Sequence, residues 1–448
     1  MLDYKKQIHD YILKNKVEIV EVFKEIVRIP SVRGEITPGA PFGKACADVL
    51  EYTEKLYREN GFETEYDREG GYLLSNYGNG TKSLGLFAHA DVVPVGNDWV
   101  LTKPFVPIEK DGFLIGRGVL DDKSAIVISL YCAKMLKELD IPFNSQLVCF
   151  TGANEESGME DISSYVKKHK APDFSLVCDT AFPLYRGDKG ILHFVAKSLS
   201  SLKEIDYFSG GTAFNIILGE ATAKYKNQTF TEKGISKHGA LPEGSVNAGY
   251  LIAKKLLEIE DLCKEDKKQI KFVAETLEKY YGEVFGIENE DSVFGKLTCT
   301  NGIIKTIDGK LNLCFDMRYG IGVDIEDVKN KITGYFTTNG WQVEFVKQRT
   351  PFCLPEDNKY LLACLDAYKS FTDTKSISAY INAGGTYASQ LPCAAEIGTA
   401  LKWKMPKNLP QGHGGAHQPD ECISIDGMLK ALELTLLMLL ECDKEDIK

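Results

Sequence analysis

The stretch Gly116–Lys123 reads GRGVLDDK and places two carboxylates, Asp121 and Asp122, side by side after a glycine-rich turn. A segment with helical periodicity follows, from Lys123 to about Leu139. Two neighbouring negative charges where a loop meets a helix cost free energy unless a cation lies beside them. A metal ion is the simplest such cation. An N-cap aspartate with a solvated neighbour is the alternative that this stretch alone leaves open.

Metal-binding side chains recur at or just past the ends of apolar, strand-like segments, and once more in the Gly/Pro/His-rich loop 404–419. They are His89 and Asp91, Glu155 and Glu156, Asp179, and His417. Strands alternate with helices in this part of the chain, and in such sheets functional groups gather at the carboxyl ends of the strands. Buried carboxylates in this number are costly without cations. The sequence therefore predicts a metal centre with imidazole and carboxylate ligands.

The order of the elements predicts an α/β fold in more than one domain, because 448 residues exceed the usual size of a single core. Residues 1–186 form a sheet flanked by helices, and 383–448 return to it. Residues 187–382, which are rich in strands with two amphipathic helices, are expected to form an inserted α+β domain.

Composition excludes several classes of partner. The formal net charge is −11 and no basic stripe is present, so nucleic acid is not expected as a partner. No segment approaches the length of a membrane span, and the charged N-terminal segment lacks the apolar core of a signal peptide. The 12 cysteines are scattered singly without a CxxC pair. We therefore expect a cytoplasmic protein with no membrane partner.

Five segments, in chain order, resemble the co-catalytic zinc peptidase and deacylase family, which includes aminoacylase, succinyl-diaminopimelate desuccinylase and carnosine-type dipeptidases. They read GLFAHADVVPVG, GRGVLDDKSA, TGANEESG, VCDTAFP and GAHQPDE. The later segments SKHGALPEGSVNA and GGTYA are most similar to bacterial dipeptidases of the PepV type. The resemblance implies a zinc-peptidase-like catalytic domain with a central mixed sheet flanked by helices, and it makes the inserted α+β domain a lid.

The resemblance also implies a role for each acidic and imidazole side chain around two divalent cations. Zn²⁺ is the expected metal, and Mn²⁺ or Co²⁺ suits the same donors. Asp91 is expected to orient His89, and Glu155 to act as general base on a water that bridges the metals. The implied metal ligands are Asp121, which bridges both cations, His89 and Asp179 at one cation, and Glu156 and His417 at the other.

Substrate contacts are implied in and next to the inserted domain. His238 is expected to stabilise the oxyanion of the tetrahedral intermediate. Many relatives read GGTYAR where this chain reads GGTYAS, ending at Ser389, so the group that binds the substrate carboxylate stays open. The further candidate contacts are Asn215, Arg318, Gly384 and Gly385.

These features predict a metallodipeptidase that hydrolyses unblocked dipeptides. An N-acyl amino acid deacylase or desuccinylase shares the whole metal set and stays open, and a non-catalytic binding protein is the alternative from another class. The resemblance also implies a cis bond between Asp121 and Asp122, which would direct the bridging carboxylate toward both cations. A monomer is predicted because the insert is nearly twice the roughly 100 residues of a single lid unit, with a charged surplus at about 249–310.

Overall fold

The computed structural model describes residues 2–401 and 404–444, which fold into two compact units. The first unit comprises the described residues up to Gly187, Leu354–Tyr380 and those from Thr386 onward. The second comprises Asp188–Cys353 and Ile381–Gly385. The predicted insert 187–382 is therefore too long near its C-terminal end. Helix Lys359–Thr372 belongs to the first unit because its apolar face is buried in that unit's hydrophobic core.

A mixed sheet forms the centre of the first unit. Four neighbouring strands are parallel, and antiparallel strands flank them on both sides. The predicted α/β fold with a central mixed sheet is confirmed. In spatial order the strands are Glu63–Asp67, Tyr72–Tyr77, Gln146–Gly152, Ser83–His89, Phe174–Thr180, Ala394–Gly398 and Tyr185–Asp188.

Helices cover this sheet, and one of them is buried along almost its whole length. Helix Lys123–Glu138 packs against the first helix, the last helix and the strand Ser83–His89, so apolar residues occur on all its sides. A small separate sheet pairs Ile108–Lys110, Phe113–Ile115 and Cys422–Ser424. The other helices of this unit are Leu2–Arg28, Lys44–Glu59, Glu160–Lys168, Lys359–Thr372 and Ile425–Asp443.

The second unit is an antiparallel sheet with helices packed on it around one hydrophobic core. Its helices are Ala248–Leu257, Lys264–Leu277 and Ile325–Thr338. The surplus segment 249–310 contributes to this same core through Ile252, Ile270 and Ile304. In spatial order the strands are Gln228–Lys233, Glu220–Tyr225, Ile205–Gly210, Thr298–Ile307, Lys310–Tyr319, Gly190–Ser198 and Trp341–Arg349.

Among the residues that the structure describes, three further pieces of short strand structure lie outside the strands named above. Glu290–Asp291 pairs with Gly295–Lys296, while Phe352–Cys353 and Tyr380–Asn382 lie where the chain passes between the units. Within the described ranges, no helix is both long enough and apolar enough to cross a membrane.

Candidate metal centre

Three neighbouring parallel strands of the first unit end beside one another and position the first candidate ligands. His89 is the last residue of Ser83–His89, and Asp179 lies near the end of Phe174–Thr180. Glu155 and Glu156 begin a short 3₁₀ helix just after Gln146–Gly152. The carboxyl ends of adjacent parallel strands meet at one edge of a sheet, and His89 Nε2 lies 3.7 Å from Asp179 Oδ1 there.

The carboxylate of Asp121 lies between two imidazoles. Its Oδ1 is 3.0 Å from His89 Nε2, and its Oδ2 is 2.9 Å from His417 Nε2. His417 Nε2 is in turn 3.0 Å from Glu156 Oε1. One carboxylate oxygen therefore faces each imidazole, which is the arrangement that a bridging ligand requires. The peptide bond between Asp121 and Asp122 is cis, as predicted.

The donor atoms fit divalent cations. The ligand atoms of His89, Asp121 and Glu156 lie within 4.8 Å of one another, and so do those of His89, Glu155 and Asp179. Imidazole nitrogen with carboxylate oxygen is a donor set that suits Zn²⁺ and its first-row neighbours. Next to Asp121 in the chain, Asp122 Oδ1 is buried with no hydrogen-bond partner among the described residues, and burial raises the pKa of this carboxyl well above its usual value.

The charges of this cluster shift several pKa values strongly. Hydrogen bonds with Asp121 and Glu156 raise the pKa of His417 to about 10. Burial opposes charge on His89, but its carboxylate partners raise the pKa of this imidazole well above its usual value. Burial raises the pKa of Asp179 to about 6. Protons on the two imidazoles thus occupy positions from which a metal ion would displace them.

Asp91 contacts both His89 and the turn that carries Glu155 and Glu156. The Nδ1–H of His89 donates to the backbone carbonyl of Asp91 at 3.0 Å, which leaves Nε2 unprotonated in the neutral ring and directed at the carboxylates. The Asp91 carboxylate lies 3.5 Å from Nδ1, and it also accepts the backbone amides of Glu155 and Glu156 at 3.0 and 3.2 Å. It therefore holds the turn that carries both glutamates.

A buried ion pair that the sequence analysis did not single out supports Asp121. Glu421, which is fully buried, accepts the backbone amides of Leu120 and Asp121 and a 2.7 Å bond from Arg117 Nη1. Arg117 Nη2 donates in turn to the carbonyl of His417 at 3.4 Å. The signal was present in the quoted motifs GRG and QPDE, but sequence alone does not show that their charges are paired and buried.

The second unit brings His238 and Asn215 together. The carbonyl of Asn215 accepts the amide of Gly239 at 2.7 Å, directly after His238. The amide of Ala240 donates to His238 Nδ1 at 3.2 Å, so the neutral ring carries its proton on Nε2. Burial and the positive charge of Arg318 lower the pKa of His238. The imidazole is therefore a neutral hydrogen-bond donor at neutral pH.

Arg318 is held in a fixed direction by its neighbours in the same unit. Its Nε donates to both oxygens of Asp316 at 3.0 and 2.9 Å, and its Nη1 donates to the carbonyl of Ala383 at 2.9 Å. Gly384 and Gly385 follow directly, and a side chain at Gly385 would collide with the guanidinium of Arg349. The sequence analysis missed Arg349, because nothing in the local pattern QRTPF indicates that it reaches the glycine pair.

In the first unit, the Ser389 side chain forms a hydrogen bond within its own segment. Its hydroxyl donates to the carbonyl of Thr386 at 2.9 Å, within the same short helical turn. Ser389 therefore caps a turn of its own segment.

Known proteins are similar to this chain in sequence. The sequence model of peptidase family M20/M25/M40 matches residues 85–441. A Staphylococcus epidermidis protein named "Putative dipeptidase" is 27% identical over 431 residues, which cover 86% of this chain and 90% of that protein.

Solved structures share the fold. Human carnosine dipeptidase 1 has a TM-score of 0.66 at 14% identity, with 98% of this chain and 99% of that chain covered. The Bacillus subtilis protein YXEP, described as a dinuclear metal-binding peptidase, has a TM-score of 0.54 at 10% identity, with 95% and 97% covered. The chain therefore belongs to peptidase family M20/M25/M40, which confirms the resemblance seen in the sequence and the prediction of a metallopeptidase.

Proposed function

We propose that this protein is a metal-dependent dipeptidase that hydrolyses unblocked dipeptides. The observation that carries the proposal is the Asp121 carboxylate, which faces His89 with one oxygen and His417 with the other. This geometry suits two cations that share a ligand. The dipeptidase name of the Staphylococcus epidermidis relative supports the substrate class.

The family pattern implies a division of the ligands between two cations, and we propose that division here. Two divalent cations, when bound, lower the pKa of water and polarise a carbonyl group. Zn²⁺ is the metal that we propose, with Mn²⁺ and Co²⁺ suited to the same donors. The proposed ligands are His89 and Asp179 for one cation, Glu156 and His417 for the other, and Asp121 for both.

Glu155 is the proposed general base. It follows the same strand as Glu156, but its carboxylate groups with His89 and Asp179, whereas that of Glu156 groups with His89 and Asp121. It takes the proton of the attacking water and delivers it to the departing amine. Asp91 fixes the direction of Glu155 by accepting its backbone amide at 3.0 Å.

His238 is the proposed donor to the oxyanion. Its Nε2–H is fixed by the Ala240 amide at Nδ1, and its lowered pKa keeps the ring neutral, so it donates without adding a charge that water would have to solvate. We propose Arg318, Asn215 and the amides of Gly384 and Gly385 as contacts of the substrate. Arg318 is the candidate for the substrate carboxylate, because Asp316 and Ala383 already hold its guanidinium in place.

A substrate panel tests this proposal. The metal-free protein is reloaded separately with Zn²⁺, Mn²⁺ and Co²⁺ and assayed on small dipeptides, N-acetyl amino acids and N-succinyl amino acids. We expect turnover of the dipeptides and kcat/KM at least about tenfold lower for the acylated compounds, whose blocked amines lose a charged contact. Exclusive turnover of the acylated compounds would make the protein a deacylase instead. We further propose that it acts as a monomer in the cytoplasm.

A further inference from the structure

The strand Gln146–Gly152 is held at both ends by buried carboxylates. Before the strand, Asp443 accepts the backbone amides of Asn144 and Ser145 at 2.9 and 2.8 Å. After it, Asp161 accepts the backbone amides of Ala153 and Asn154, each at 2.8 Å. Only the second end leads into the turn that carries Glu155 and Glu156.

The carboxylate of Asp161 is surrounded by donors. Besides the two amides, its Oδ1 accepts the amide of Ile162 at 2.8 Å, and its Oδ2 accepts the hydroxyl of Tyr387. Both Asp161 and Tyr387 are buried. The three backbone amides can only donate, so an asparagine here would turn its NH₂ group toward at least one of these donors, whereas the carboxylate accepts from all of them.

Gly152 shows how closely this pair packs under the turn. A Cβ at Gly152 would lie 2.1 Å from the Tyr387 hydroxyl and 2.3 Å from Asp161 Oδ2. The strand therefore ends in a glycine because the two polar groups occupy the space of a side chain. The Tyr387 ring also packs edge-on against the imidazole of His89, at 6.4 Å between centroids.

Asp161 and Asp91 together bind four successive backbone amides. Asp161 takes those of Ala153 and Asn154, and Asp91 takes those of Glu155 and Glu156. These four hydrogen bonds restrain the peptide groups of the turn, and the directions of the two glutamate side chains depend on those peptide groups.

We propose that Asp161, supported by Tyr387, is a positioning residue that fixes the backbone of the Glu155–Glu156 turn and thereby keeps Glu155 in place as the base. The inference rests on the proposed function. Among the described residues, the hydrogen bonds of Asp161 go to backbone amides and to the Tyr387 hydroxyl, so its effect on Glu155 passes through the amides of Ala153 and Asn154.

The test compares Asp161→Asn with the matched control Asp443→Asn, which removes the same kind of contact from the other end of the same strand. Burial raises the pKa of Asp161 to about 7, so assays are run well above that pH, where the carboxylate is ionised. Amide hydrogen exchange of the metal-free proteins gives a readout that does not depend on turnover. Relative to the wild type, we expect the amides of 153–156 to exchange faster in Asp161→Asn. In Asp443→Asn we expect faster exchange at the amides of 144–145 and not at those of 153–156.

Kinetics then separate positioning from general stability. With metal content matched, kcat of Asp161→Asn should fall about 10- to 100-fold with little change in KM, while Asp443→Asn loses thermal stability but keeps its kcat. Tyr387→Phe keeps the carboxylate and the ring, and removing its single hydrogen bond should lower kcat by about threefold to tenfold. This variant decides the question if Asp161→Asn does not fold.

The proposal is overturned if the kcat of Asp161→Asn falls no further than that of Asp443→Asn, if exchange at 153–156 stays at the wild-type rate, or if Tyr387→Phe matches the wild type in both measurements. A failure of the proposed function has a different signature. In that case Glu155→Gln remains active, while the exchange difference between the two ends of the strand persists.

Discussion

The candidate metal centre of the first unit and the candidate substrate contacts of the second are built in different ways. In the first, carboxylates follow strand ends, and other buried carboxylates hold their backbone: Asp91 binds the amides of Glu155 and Glu156, and Glu421 binds that of Asp121. In the second, Arg318 lies within an antiparallel strand and is held through its side chain by Asp316.

This difference teaches which changes each region should tolerate. Where the backbone is fixed and the charges are buried together, loss of one charge leaves another uncompensated and the effect is large. Where a side chain is held by neighbouring side chains, we expect a shorter or differently shaped cation still to reach the substrate. Substitution there should weaken substrate binding without abolishing activity. Substitutions in each region test whether the two regions differ in this way.

The largest effect is expected for Glu155→Gln. The amide keeps the shape of the side chain but cannot accept a proton, so kcat should fall by about 10²- to 10⁴-fold while the metal content per chain is unchanged. Steady-state kinetics and elemental analysis on the same sample check this. Glu59→Gln, at an exposed helical position, is the control. An active variant, or one without metal, would mean that the two glutamates have been assigned in the wrong order.

His238→Ala should lower kcat by about 10²- to 10³-fold, because the oxyanion loses a neutral donor, and it should leave metal binding intact. Mixing this variant with Glu155→Gln adds a test of the oligomeric state. A monomer regains no activity on mixing, and its specific activity does not vary with enzyme concentration. Recovery in the mixture would show that His238 acts on a partner chain.

Glu421→Gln should destabilise the protein by about 3 kcal/mol, because the buried Arg117 guanidinium loses its countercharge. Urea denaturation, followed by a probe of the first unit, measures the change. The control is Glu344→Gln, which breaks the exposed pair with Lys197 and should cost less than about 1 kcal/mol. Equal losses in the two variants would contradict the importance assigned to the buried pair.

The smallest effect is expected for Arg318→Lys. Lysine keeps the charge but not the two-pronged geometry, so KM for a dipeptide should rise about tenfold with kcat changed much less. A dipeptide amide, which lacks the terminal carboxylate, provides the control, since its KM should not respond to the substitution. If both substrates respond alike, Arg318 does not bind the carboxylate.

The residues of the candidate metal centre could be picked out from the sequence because their signals are local. A doubled Asp121–Asp122, a doubled Glu155–Glu156 and apolar segments before His89 and Asp179 together indicate strand ends that meet. The central sheet and most helix positions follow from the same periodicity.

The features that the sequence did not predict depend on contacts between distant segments. Arg117 pairs with Glu421, and Asp161 accepts a backbone amide at the end of the strand Gln146–Gly152. No local sequence pattern connects the residues of either contact. Helix Lys359–Thr372 is amphipathic in either unit, and only packing decides that it belongs to the first. The compartment and the oligomeric state stay predictions.

A crystal structure of the protein loaded with Zn²⁺, with anomalous scattering collected at the zinc edge, tests the central claim most directly. The account predicts two ions per chain in the first unit. His89 and Asp179 bind one, Glu156 and His417 bind the other, Asp121 contacts both, and the Glu155 carboxylate binds neither. A single ion, or Glu155 in the place assigned to Glu156, would contradict it.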